Sequence, residues 1–151
     1  MMMRWKALAG IGIGLLLIGG IVPSATAENR IHVVVKTIQA SEEGTHVDSR
    51  LSPLIEELKS VFRYSSYRLL GEDEMTLKKG ETGEAALPGD RILRVTPKGT
   101  ANDRIELGLR IAKGKKEIFQ TVVQLLNQGS ITVGGPRHET GTLLFRISAS
   151  H

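Results

Sequence analysis

Ile105-Glu106-Leu107-Gly108-Leu109-Arg110-Ile111-Ala112 sets an aliphatic residue at every odd position and a polar or small one at every even position. A period of two is the mark of a strand with one buried face and one exposed face. Lys113-Gly114-Lys115 then supplies a hairpin turn, and residues 117–126 read as the returning strand. Beyond it, Asn127-Gln128-Gly129 turns the chain into a short strand at 131–133, which Gly134-Gly135-Pro136 closes. Residues 142–148 make a last strand, with Leu143, Phe145 and Ile147 on one face.

The same period extends back to Ser65. A strand is expected to start at 67–70, with 75–77 as its candidate continuation after Glu72-Asp73-Glu74, and short strands at 84–87 and 91–96 are punctuated by Gly80, Gly83, Pro88-Gly89 and Gly99. Upstream of Ser65 the pattern is helical. Leu54, Ile55, Leu58, Val61 and Phe62 form one apolar stripe, and Glu56, Glu57, Lys59 and Ser60 lie opposite. Ser52 is placed to cap the first turn, with Pro53 at the first helical position. A strand at 31–38 precedes the helix, its second face (His32, Val34, Lys36) only partly polar, as in a central strand covered on both sides. The expected fold class is α+β: a β-α-β start followed by an antiparallel meander, with the amphipathic helix packed on a bent sheet or small β-sandwich.

Residues 1–27 carry a different signal. Arg4 and Lys6 precede an apolar run from Ala7 to Val22, and Ala25-Thr26-Ala27 gives a small-residue end. That is the layout of a cleaved secretory signal peptide. The apolar run is 16 residues long, shorter than the roughly 20 needed to span a bilayer as a helix, and five of those residues are glycine. A retained anchor is the competing reading. With cleavage after Ala27, residues 28–151 form a single domain with no stable membrane span, periplasmic or secreted.

Composition narrows the function. The leader holds two of the 20 basic residues and none of the 16 acidic ones, so residues 28–151 carry a formal charge of only +2. This small excess argues against a nucleic-acid partner. The chain has no cysteine, which excludes a disulfide framework, a thiol nucleophile and a cysteine-ligated metal. The four histidines lack metal-pair spacing, so neither a metal nor a cofactor is expected. His46, Asp48 and Ser49, with His138, contain the residue types of a hydrolase but not the spacing of a known nucleophile motif. The cluster most suited to binding is Arg63-Tyr64-Ser65-Ser66-Tyr67-Arg68, which interleaves arginines with the two tyrosines of the chain. Arg63, Tyr64, Tyr67 and Arg68 are candidate partner contacts, since Tyr and Arg are the usual anchors at interfaces. The bland alternative is a helix-to-strand junction whose tyrosines pack on the core edge.

One stretch resembles a known family. Ile105-Glu106-Leu107-Gly108-Leu109, then Thr121-Val122-Val123-Gln124-Leu125, then Asn127-Gln128-Gly129-Ser130-Ile131-Thr132-Val133-Gly134-Gly135 are similar to the β-hairpin region of bacterial secretins, the outer-membrane secretion channels. The resemblance implies a small exported domain that shares a strand arrangement with secretins or assembles beside one. The Pro- and Gly-rich segment leading to a membrane lip is absent, so it implies no channel. The expected function is therefore a non-enzymatic exported domain making contacts with an envelope protein, of unknown oligomeric state. A cell-wall glycan or small-ligand binder using the tyrosines, and a hydrolase with an unrecognised site, are the alternatives.

Overall fold

The computed structural model describes residues 29–151; the expected signal peptide lies outside the described residues. Eight strands follow in chain order: β1 (Ile31–Ser41), β2 (Ser66–Leu77), β3 (Gly83–Leu87), β4 (Arg91–Ala101), β5 (Arg104–Lys113), β6 (Lys116–Leu126), β7 (Gly129–His138) and β8 (Gly141–Ser150). They form two four-stranded sheets, β2-β1-β8-β7 and β3-β4-β5-β6, antiparallel throughout. The only helical elements among the described residues are a 3-10 turn at Ser49–Leu54 and α1 at Ile55–Val61, both between β1 and β2.

This corrects the expected class. The fold is β-rich rather than α+β, and the helix does not begin a β-α-β crossover, because β1 and β2 are antiparallel neighbours. A crossover helix is needed only to return the chain to a parallel strand. Here the helical segment is an inserted excursion above an antiparallel pair.

The main core lies between the sheets. Val33, Val35, Phe145 and Ile147 from the first sheet meet Leu93, Val95, Leu107 and Leu109 from the second, all essentially buried. These are the odd-numbered positions of their strands, as the sequence alternation requires. A second core lies on the other side of the first sheet. Ile38 and Ala40 of β1 and Leu144 of β8 pack under Leu51 and Leu58 of the helical segment, with Tyr67 of β2. Strand β1 is thus covered on both faces along its second half, at Ile38 and Ala40, whereas His32 stays exposed and Val34 and Lys36 only half-buried.

A bulge lets β2 serve both cores. Ile38 pairs with Leu69 and Thr37 with Gly71, leaving Leu70 without a partner. One extra residue reverses which face a strand presents. Tyr67 and Leu69 therefore face the helix, whereas Met75 and Leu77 face the core between the sheets. Strand β2 runs unbroken through Glu72-Asp73-Glu74, so 75–77 does continue the strand begun at 67–70.

The helix start also differs from expectation. Asp48 caps the 3-10 turn, accepting from the Arg50 backbone N–H at 3.0 Å, and α1 itself starts after Leu54 with no side-chain cap. Pro53 lies inside the 3-10 turn, and the Ser52 hydroxyl donates to the Ser49 carbonyl at 2.7 Å. The 3-10 turn brings Leu51 into the second core, and Val61 of the expected stripe is left 66% exposed.

Candidate functional site

The expected contact cluster straddles the end of α1 and the start of β2, and its members have different roles. Tyr67 is fully buried. Its hydroxyl donates to the Phe62 carbonyl at 2.8 Å, and its ring meets that of Tyr64 edge to face, with centroids 6.5 Å apart. Burial raises its phenol pKa above the ordinary value. Tyr64 is half-buried, and its hydroxyl donates to Thr142 Oγ1 of β8 at 3.1 Å. Arg63 and Arg68 are exposed. The tyrosines therefore tie the helix to the first sheet, and Tyr67 offers no ring face to a sugar or a partner. Of the four candidates, Arg63 and Arg68 reach solvent fully and Tyr64 reaches it in part.

The loop before the 3-10 turn covers the top of β2. Tyr67 N–H donates to the His46 carbonyl at 2.8 Å and Asp48 N–H donates to the Tyr67 carbonyl at 2.9 Å, a short parallel bridge. The Asp48 carboxylate accepts from Arg50 Nε at 3.0 Å and Nη2 at 2.6 Å, and from Leu69 N–H at 3.3 Å. The Arg50 side-chain hydrogen bonds, chiefly, hold this carboxyl well below the usual carboxylate range and push Arg50 up in turn. The acid is committed to structure. Among the described residues no side-chain hydrogen bond or ion pair joins His46, Asp48 and His138; His138 instead faces Glu139 at 3.8 Å. No group of three or more His, Asp or Glu is placed to hold a metal among the described residues.

A different surface stands out on the far side of the molecule. Strand β6 ends the second sheet, pairing with β5 alone, while β7 belongs to the first sheet. Ile118, Val122 and Leu126 of β6 are 37%, 52% and 56% exposed. From Ile118 to Leu126 this strand carries no charge. Edge strands are ordinarily blunted by charge, proline or shortness, and this one has none of these in its last nine residues. The sequence reading overlooked these residues, although apolar positions on both faces of 117–126 were the available signal.

The neighbouring strands shape the same face. Register places Thr96, Gly108 and Val122 in one row across β4, β5 and β6, and Arg94, Arg110 and Gln120 in the next. Since Gly108 has no side chain, a shallow trough of about 300 Å³ opens above it, bordered by Arg94, Lys98, Arg110 and Val122. A second trough of about 340 Å³, lined by Lys98, Arg104, Glu106 and Gln124, continues it toward the β4–β5 turn. Arg94 pairs with Glu84 at 3.0 Å and Arg110 with Glu117 at 3.7 Å.

Comparison with protein-family models, with curated proteins and with solved structures finds no match. Among the described residues no helix is long and apolar enough to cross a membrane.

Proposed function

We propose that this chain is a non-enzymatic domain of the cell envelope, periplasmic or secreted, that acts by contact with an envelope protein through the outer face and β6 edge of its second sheet. The observation that carries this reading is the row Ile118, Val122 and Leu126, three of the five exposed large hydrophobic side chains among the described residues. An uncharged edge strand is a template for strand addition, in which backbone hydrogen bonds supply affinity and alternate side chains supply specificity. The export half of the proposal rests on the leader sequence at 1–27. The stretch that resembles secretins includes residues 121–125 of β6, which accords with a role beside a secretion or envelope assembly. Arg63, Tyr64 and Arg68 form a second candidate contact surface on the opposite sheet.

The test is photo-crosslinking in the producing cell, with the reactive residue placed at Val122 or, as control, at exposed Glu42. A discrete adduct with an envelope protein from position 122 and none from position 42 is the expected outcome. Absence of any adduct at 122, with the protein folded and present in the envelope fraction, overturns the reading.

A further inference from the structure

Arg94 and Arg110 are direct cross-strand partners on an exposed sheet face. Like charges placed opposite each other destabilise a sheet. Each guanidinium is offset by one flanking carboxylate, Glu84 or Glu117. Lys98 adds a third cation between the two troughs. It is the extra residue of a bulge between Pro97 and Gly99, and its stem lies across Gly108, its Cε only 2.7 Å from where a Cβ at 108 would sit. Among the described residues no carboxylate lies within 4.0 Å of its ammonium. Across the two troughs Arg94, Lys98, Arg104 and Arg110 outnumber the acids Glu84, Glu106 and Glu117; Glu84 and Glu117 are paired with arginines and Glu106 accepts from Gln124.

The chain offsets Arg94 and Arg110 singly and leaves Lys98 without a carboxylate partner among the described residues, and a local rule broken with only partial compensation points to function. We propose that the outer face of the second sheet receives an extended acidic segment of a partner protein, one carboxylate of which enters the trough above Gly108 to meet Lys98 and the Arg94–Arg110 pair. The continuous troughs, with Lys98 on both, suit an extended chain rather than a compact ligand. The exposed Val122 beside Gly108 gives the segment an apolar neighbour for an alternate side chain. This inference rests on the contact reading above and names the chemistry of the partner.

The test uses fluorescein-labelled hexaglutamate as probe, read by anisotropy at low and at physiological ionic strength. The wild type binds at low ionic strength, and binding weakens as salt screens it. Gly108→Leu adds bulk above position 108 without altering net charge, and its Cβ would displace the flexible end of Lys98. Affinity is expected to fall about tenfold or more in Gly108→Leu and in Lys98→Gln, as for loss of a charge-assisted hydrogen bond. Lys115→Gln, a turn substitution of equal charge change, leaves it within about twofold, as for an exposed charge in high dielectric. If Gly108→Leu fails to fold, Gly108→Ala with Lys98→Gln carries the comparison. Equal binding by wild type and Gly108→Leu, equal competition by anionic phospholipid vesicles in both, or no binding at low ionic strength each overturns the inference. A Val122 crosslink without hexaglutamate binding removes the acidic segment and keeps the contact reading; hexaglutamate binding without a crosslink does the reverse.

Discussion

The hydroxyl of Tyr67, carried by a strand, donates to the carbonyl of Phe62, where the helix ends, at 2.8 Å. A helix of seven residues is too short to be stable by itself, so it depends on such ties and on the second core beneath it. Tyr67→Phe keeps the ring and removes the donor, and is expected to cost about 1 kcal/mol, read as a lower thermal midpoint. Burial raises the phenol pKa in the folded state, so its contribution is complete below the unfolded value near 10 and is lost as pH rises through the folded one. The difference between wild type and variant should therefore narrow under alkaline conditions.

Asp48 acts in the opposite sense, toward acid. Its folded carboxyl is held below the usual range by Arg50, so the unfolded chain binds the proton more readily. The stabilisation is in full force above the unfolded value of about 4 and is lost as pH falls through the folded one. Asp48→Asn should be less stable at neutral pH and should lose less on acidification than the wild type. Urea midpoints measured at neutral pH and near pH 3 check both halves; parallel curves for the two proteins contradict the assignment.

Two glycines separate crowding from tolerance. A Cβ at Gly141 would run into the Ala40 carbonyl oxygen of the neighbouring strand, whereas one at Gly108 would crowd only the movable end of Lys98 and touch the Thr96 carbonyl at an ordinary contact distance. Gly141→Ala is expected to cost about 2 kcal/mol or more through overpacking. Gly108→Ala should stay within about 0.5 kcal/mol. Denaturant titration of both variants gives the ordering directly.

Leu70 is the unpaired residue that reverses the face of β2. Deleting it is expected to abolish cooperative unfolding, because Tyr67 and Leu69 cannot then reach the second core while Met75 and Leu77 hold the first. Leu70→Ala, at a site 38% exposed, should retain a sharp thermal transition. A cooperative deletion variant would show that the bulge is dispensable.

Val122→Lys places a charge in the uncharged run of β6. It should leave the thermal midpoint nearly unchanged, since residue 122 is exposed, and should raise the concentration at which the protein remains monodisperse. Light scattering across a concentration series decides the matter.

The alternation of Ile105 to Ile111 and the helical stripe at Leu54 to Phe62 were legible because burial on one face writes its period into the chain. The continuous strands β2, β4 and β7 were less so. β2 carries three consecutive acids, β4 passes through Pro97, and β7 passes through Gly134-Gly135-Pro136. β2 and β7 are sheet edges and Pro97 sits at a bulge, places where such residues cost little. The contact cluster was half legible. Arg63-Tyr64 and Tyr67-Arg68 were noticed as a group, but only tertiary packing reveals that Tyr67 points inward. The β6 surface escaped because an apolar residue on a strand looks the same in sequence whether its face is covered or bare.

The pairing of β1 with β8 joins Val33 to Ala149 and Ile38 to Leu144. Both cores draw on both strands. Neither core can close until almost the whole chain is present, so a polypeptide emerging N-terminus first has no stable intermediate to settle into. Such distant pairing makes folding slow. It also holds the chain open during synthesis, the state that the proposed export through a membrane would require.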